Sequence, residues 1–433
     1  MEPITHTKTG NVRWSILALL FFATTINYID RQVIGILKPF IAEDLGWSEA
    51  DYGFIVTAFQ IAYAAGLLIS GRFLDKYGTR VGYLIAVIVW SIAATAHALA
   101  RGVMSFMGVR FLLGLGESAN FPAAVKSVAE WFPKKERALA TGIFNSGSTV
   151  GAILAPIIVS GITVLFGWRL AFVLTGLLGF IWIVFWLIYY RHPAGHKKLS
   201  PAEFEYIHQD KDETQSEKGV SWFSLLKHKQ TLAICLTRFI SDWVWWFFLF
   251  WIPDFLAKTT GVNIKELVLP LIIIYAVSSV GGIAGGWFSS HLIKSGRSID
   301  SSRKLVIFCS ALLAIPIVFV SQLNELWLIV LLISLATAGH QSWAANMFTI
   351  ISDIYPKGAV GSMTGLSGLM GAIGGALSAT FVGLVLQISH SYTLIFSIAS
   401  VVYLLNWAII KLLIRKIEPL KIQSNLPDAE KPK

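Results

Sequence analysis

The sequence is poor in charge. Of its 433 residues only 14% are Asp, Glu, Lys or Arg, against about 25% in an ordinary soluble domain. Hydrophobic residues make up 55% and mean hydropathy is +0.66. A chain so short of charge cannot coat its surface for water, so most of that surface has to face lipid. Cysteine is scarce too: Cys235 and Cys309 both lie in apolar stretches and read as packing residues, without a disulfide or a metal site. No H-E-x-x-H, Walker loop or G-x-S-x-G is present. An integral-membrane enzyme would need a nucleophile or metal cluster near an interface, and none is visible; no cofactor is implied. A transporter-like sensor would carry a larger cytoplasmic domain. The segment Met1–Asn11 is polar, has only Lys8 as a base, and is followed by no A-x-A cleavage site, so the first hydrophobic stretch is expected to be a retained helix.

What the sequence has is long apolar runs, at roughly 20 residues or more each and about twelve in number, the length that crosses a ~30 Å hydrocarbon core as a helix. They fall near 14–37, 51–72, 81–99, 104–129, 138–164 and 168–190, then 229–256, 266–292, 304–322, 325–352, 359–388 and 391–414. Barrel strands are shorter, and lipid cannot satisfy open backbone, so helices are expected throughout. One long hydrophilic stretch, within 192–228, separates two sets of six. The expected organisation is an N-terminal half 1–191, a cytoplasmic linker 192–228, a C-terminal half 229–415 and a tail 416–433. The net charge of +10 could suggest nucleic acid, but the bases sit between apolar runs. About 27 of the 35 fall on the side that carries both termini, which places the termini in the cytoplasm and excludes nucleic acid as a partner.

The halves repeat. At an offset of 223, Gly116-Glu117 aligns with Gly339-His340, Glu130-Trp131-Phe132-Pro133-Lys134 with Asp353-Ile354-Tyr355-Pro356-Lys357, Thr141-Gly142 with Thr364-Gly365, and Gly151 with Gly374. Span four is therefore the counterpart of span ten, and span five of span eleven. Parallel six-helix repeats that bind substrate between them near the midplane describe the major facilitator architecture.

Several motifs carry a resemblance. The segment from Gly71 through Asp75 and Gly78 to Arg80 resembles the signature loop of the major facilitator superfamily, whose Asp and Arg can pair at a helix end and lock a gating state. Asn27–Arg31 and Gly114–Pro122 resemble the anion:cation symporter family. Lys126–Arg137, Phe144–Ser148, Arg238–Asp242 and Gly339–Gln341 are similar to its hexuronate-transporter branch. The resemblance implies an all-α integral-membrane fold of two pseudo-symmetric six-helix halves. It also implies proton-coupled symport of glucuronate or galacturonate, or of another sugar acid such as galactonate or glucarate, by a monomer in the cell inner membrane.

A charge at the bilayer centre costs roughly 2.5–3.5 kcal/mol, so mid-span charges need a reason. In span four Arg110, Gly114, Glu117 and Phe121 share one helical face. Asp30 and Arg31 supply a second acid and base from span one. Arg31 and Arg110 suit a carboxylated substrate through their planar forks, or else neutralise neighbouring acids permanently. Glu117 and Asp30 are candidate proton carriers. Tyr28, Tyr63, Asn145 and Ser148 can donate to sugar hydroxyls, or simply join helices. His340 and Gln341 occupy the repeat position of Glu117 and Ser118, which makes them candidates for substrate contact. Arg238 and Asp242, four apart, can pair within one helix or touch substrate. Trp243, Trp245, Trp246 and Trp251 can stack on a sugar or anchor at an interface. Gly365, Gly368, Gly371, Gly374 and Gly375 form a small-residue stripe for close packing.

Overall fold

The computed structural model describes residues 10–209 and 222–420; the side chains at 75, 134, 135, 137–139, 222, 223, 357, 358 and 361 are not described. The ends of the chain and the middle of the expected linker thus lie outside it. Every regular element among the described residues is helical. The N-terminal half contains α1 (Val12–Leu45), α2 (Glu49–Ala96), α3 (Val103–Glu117), α4 (Asn120–Trp131), α5 (Lys134–Phe166) and α6 (Trp168–Tyr189). Two short helices follow, α7 (Pro201–His208) and α8 (Trp222–Leu225). The C-terminal half contains α9 (Lys229–Thr260), α10 (Ile264–Lys294), α11 (Ile299–Ala314), α12 (Leu326–Ile354), α13 (Lys357–Ser389) and α14 (Thr393–Leu413).

Among the described residues, eleven helical segments are long and apolar enough to cross a membrane. α2 supplies two of them, divided near Gly78, whose φ of 75° breaks the helix between spans two and three. The twelfth span is α3 plus α4. It is interrupted at Ser118-Ala119 because Pro122 has no N–H to offer the Ser118 carbonyl and its ring crowds that oxygen. The repeat supplies a control. The counterpart of Pro122 is Ala345, and there α12 runs unbroken.

The repeat seen in sequence is also a repeat of element boundaries. α4 ends at Trp131 and α12 at Ile354; α5 and α13 start at Lys134 and Lys357, each after an extended proline, and each has 33 residues. The loops after spans one and seven match as well. Gly46 and Gly261 end their helices in the left-handed conformation, and two residues later a capping box starts the next, Ser48 with Asp51 and Asn263 with Glu266.

Within the halves α2 packs on α3 and α1 on α5, mirrored by α10 on α12 and α9 on α13. Between them α2 meets α13, α5 meets α10 and α1 meets α9. Large apolar side chains such as Leu165, Ile188, Ile283 and Ile388 stay exposed on the outside of the bundle, as expected of a lipid-facing surface. At the termini end, buried Glu203 of α7 accepts the N–H groups of Val12 (3.2 Å) and Arg13 (3.2 Å), so a carboxylate caps the start of α1. Arg13 closes the clasp on Glu203 (3.1 Å) and on Glu136 of α5 (3.0 Å).

Candidate functional site

Arg31 of α1 lies at the centre of the bundle. Its Nε donates to Glu117 Oε2 at 2.8 Å, Nη2 lies 2.8 Å from the same oxygen in an ion pair, and Nη2 donates to Asn27 Oδ1 at 3.2 Å. Four rings box the guanidinium: Tyr63 at 4.8 Å, Tyr28 at 4.9 Å, and Phe59 and Trp246 at 5.3 Å. Trp246 belongs to α9, so both halves contribute. Local sequence explains the convergence. Asn27, Tyr28 and Arg31 share one face of α1, and Phe59 and Tyr63 are one turn apart on α2. Gly114 brings α3 against the α2 backbone, since any side chain there would strike the Phe59 carbonyl and lie 3.1 Å from the Tyr63 nitrogen. Glu117, three residues on, then reaches across to α1 from the last position before the break in span four.

Arg110 is equally buried but underused. One nitrogen donates to the Arg31 carbonyl at 3.2 Å, while Nε and Nη1 are buried without a hydrogen bond among the described residues. Its guanidinium carbon stands 5.5 Å from the Phe59 ring centre and 5.9 Å from that of Phe250, a residue of the other half. Both oxygens of Asp30 and Oε1 of Glu117 likewise lack a hydrogen bond. Asp30 has the Thr175 hydroxyl, Glu117 and Arg110 as its electrostatic surroundings. Buried polar groups normally find partners; here Arg110, Asp30 and Glu117 each keep an atom without one, close to the Arg31–Glu117 pair. The structure therefore brings Tyr28, Asp30, Arg31, Tyr63, Arg110 and Glu117 together. In this conformation Arg31 is paired with an acid of the protein itself.

Asn145 and Ser148 do not join that cluster by a side-chain bond among the described residues. Asn145 is exposed, and the Ser148 hydroxyl donates to the Asn145 carbonyl at 2.7 Å. His340 and Gln341 belong to a separate group in the C-terminal half. His340 Nδ1 meets the Tyr403 hydroxyl at 2.7 Å, and its ring stacks on Trp245 at 5.2 Å. Gln341 is half-buried against α10 beside Gly282. Arg238 and Asp242 pair within α9 at 2.9 Å. Trp245 and Trp246 thus turn to the two clusters, whereas Trp243 and Trp251 are buried in the apolar core. Of the signature loop, the Asp75 side chain lies outside the described residues. Arg80 is exposed and donates to the Leu187 carbonyl at 3.0 Å.

Sequence reasoning misses a charge cluster at the end of the bundle away from the termini. Lys38, 1% exposed, reaches Asp254 at 2.5 Å and Glu49 at 2.7 Å. Lys258 pairs with Glu49 and, at 3.1 Å, with Asp254, which also accepts the Tyr392 hydroxyl at 2.7 Å. Lys38 and Glu49 come from the N-terminal half, Asp254, Lys258 and Tyr392 from the other. Tyr52 to the Phe250 carbonyl (2.8 Å) and Thr57 to Thr380 (2.7 Å) add further cross-half bonds nearby. The available signal was Asp254 inside an apolar run; nothing in the sequence names its partner. Gln32 and Gln60, wholly buried amides without hydrogen bonds, are likewise absent from a search for charges.

The Major Facilitator Superfamily profile matches residues 20–377 and 295–433. A hexuronate transporter of Escherichia coli K12 is 32% identical over 87% of this chain and 88% of its own length. A D-galactonate transporter of Escherichia coli O6:H1 is 30% identical over 89% and 92%, and a galacturonate transporter of Dickeya chrysanthemi 34% identical over 71% and 90%. Among solved structures, a bacterial homolog of the human lysosomal transporter Spinster superposes with a TM-score of 0.76 at 19% identity, covering 94% of this chain and 97% of that one. A D-xylose–proton symporter superposes with 0.73 at 15% identity, covering 94% and 98%. The chain belongs to the major facilitator superfamily, in the family of these sugar-acid transporters.

Proposed function

We propose that this protein is a proton-coupled symporter that carries a hexuronate such as glucuronate or galacturonate across the cell inner membrane. It works as a monomer with both termini in the cytoplasm. The observation that carries the reading is Arg110, buried between the halves with two guanidinium nitrogens unpaired beside the Arg31–Glu117 pair. A planar fork with free donors, out of water, is a receptor for a carboxylate. In this reading Arg110, and Arg31 once released by Glu117, hold the substrate carboxylate. Tyr28, Tyr63, Asn145 and Ser148 serve its hydroxyls from one half, and His340 and Gln341 from the other. Glu117 and Asp30 carry protons.

The halves, 1–191 and 229–415, rock about the site, tethered by the linker 192–228, with 416–433 as a cytoplasmic tail. Asp75 and Arg80 gate the cytoplasmic end. The Lys38–Asp254 cluster supports closure of the opposite end in this conformation. A galactonate or glucarate substrate is the second reading, favoured by relatives described as transporters of D-galactonate and of galactarate and D-glucarate. The test is uptake of labelled glucuronate into proteoliposomes under an imposed pH gradient, competed by a panel of hexuronates, aldonates and aldarates. Hexuronates should compete best. Stronger competition by galactonate or glucarate moves the assignment to the second reading, and no pH-driven uptake of any sugar acid refutes both.

A further inference from the structure

Gln60 sits wholly buried on α2, three residues before Tyr63, and neither its Oε1 nor its Nε2 has a hydrogen bond among the described residues. Burying an amide without a partner is unfavourable, and an apolar residue of similar size would pack there at less cost. Its surroundings come from the opposite half. A carbon built onto Gly375 of α13 would lie 2.7 Å from Trp246 Cδ1, 3.0 Å from Trp246 Nε1 and 3.4 Å from Gln60 Nε2. The amide, the indole edge and a bare stretch of α13 backbone thus meet where the halves touch. The same Trp246 ring closes the box around Arg31. On the N-terminal side Phe59 and Tyr63, flanking Gln60 along α2, supply two more of that box's rings.

We infer that Gln60 is a specificity residue that reads a hydroxyl of the transported sugar acid; this rests on the substrate class proposed above. The chemistry of the amide selects the group. Its carbonyl accepts and its NH₂ donates, so it matches a hydroxyl, which does both. A carboxylate would be repelled by the carbonyl and is served by the arginines. Geometry sets when the contact forms. The amide atoms are unexposed in this conformation, so a partner reaches them only when α2 draws away from α9 and α13. Those are the helices joined toward the far end by Thr57–Thr380 and Tyr52–Phe250. Gln60 therefore meets substrate in the state open at the end away from the termini. It reverts to an unpaired amide once the halves close without substrate.

A site built to bond a hydroxyl rejects an analogue that lacks it. The experiment is equilibrium binding of glucuronate, galacturonate and their monodeoxy derivatives to the purified full-length protein, with thermal unfolding measured alongside. Wild type should bind one monodeoxy derivative at least about tenfold more weakly than the parent. Gln60→Met should weaken the parent by a similar factor and lose nothing further with that derivative, so the discrimination disappears. Gln60→Asn, with the amide one methylene shorter, should restore part of it. The unfolding midpoint of Gln60→Met should not fall, because no protein bond is removed. Gln60→Met retaining the wild-type ratio for every derivative overturns the inference, as does a lowered midpoint with unchanged ratios, which would make Gln60 a packing residue. Wild type that binds no sugar acid refutes the substrate class and this inference with it. Wild-type binding with ratios unchanged in the variant removes Gln60 alone.

Discussion

Replacing Lys38 with methionine tests whether the far charge cluster holds the two halves together. Lys38 and Asp254 are both buried, and their 2.5 Å contact crosses from one half to the other. Breaking a buried pair by removing one partner costs roughly 3–5 kcal/mol, because the remaining charge is stranded. Asp254 would keep Tyr392 and Lys258. Lys258 is 49% exposed in its side chain, so that pair is screened and contributes little. The low end of the range applies, about 3 kcal/mol, which is roughly 100-fold in the ratio of far-end-closed to far-end-open protein. The double variant Lys38→Met/Asp254→Asn removes both charges and leaves Glu49 with Lys258. Its balance should return to within about tenfold of the parent.

The readout is a cysteine at Thr57, where α2 meets α13, in a background with Cys235 and Cys309 replaced. Labelling by an impermeant maleimide is measured from each face of oriented vesicles. Lys38→Met should label faster from the face opposite the termini, and the double variant should not. Equal rates in parent and Lys38→Met, or equal acceleration in the single and double variants, refute the reasoning.

Arg110→Lys keeps the charge but loses the fork and its two free donors; the apparent affinity for sugar acid should fall about tenfold or more, and normal uptake affinity would remove Arg110 from the site. Glu117→Gln should bind substrate yet fail to accumulate it uphill on a pH gradient in proteoliposomes; uphill accumulation would show that Glu117 is not the essential carrier. Glu203→Ala leaves the first N–H groups of α1 and the Arg13 guanidinium short of an acceptor, so scanning calorimetry should show stability lower by about 1–3 kcal/mol; an unchanged midpoint would mean that water or Glu136 replaces it.

Much of the fold was legible because membrane spans announce themselves by length and apolarity, and because the repeat carries its own register. An offset read from a few residues near Glu117 and Pro133 also places the ends of α4, α5, α12 and α13. The break in span four was legible in principle from Pro122. Its position beside Glu117 matters, because the break frees the end of α3 at the acid that reaches α1. The pairing of charges was not legible. Helical spacing puts Arg110 and Glu117 on one face, yet Glu117 bonds Arg31, 86 residues away, since close packing at Gly114 sets which helix the carboxylate faces. Lys38 and Asp254 are 216 residues apart, and only the meeting of the halves brings them together. Orphaned amides are harder still, because Gln60 and Gln32 look like ordinary helix residues until their surroundings are known.

Charge counting links the proposed roles of the central residues. With both acids ionised, Arg31 and Arg110 against Asp30 and Glu117 sum to zero. A substrate carboxylate adds one negative charge where water is excluded. At an effective dielectric of about 20, two like charges ~4 Å apart repel by ~4 kcal/mol, about as much as one arginine at that distance attracts, so in the proposed cycle a proton on one acid tips the balance toward binding the monoanion. The two acids differ in what that proton does. Protonating Asp30, which has no hydrogen bond to any base, corrects the sum but frees no donor. Protonating Glu117 corrects the sum and would also loosen the 2.8 Å ion pair that occupies Arg31, so that in the proposed cycle a second fork turns to the substrate beside Arg110. One proton with one monoanion makes an electroneutral cycle. A second proton, on Asp30, would let an inside-negative potential of 100 mV contribute about 2.3 kcal/mol per cycle. In the proposed cycle either stoichiometry passes through Glu117, because its proton would decide whether Arg31 belongs to the protein or to the substrate.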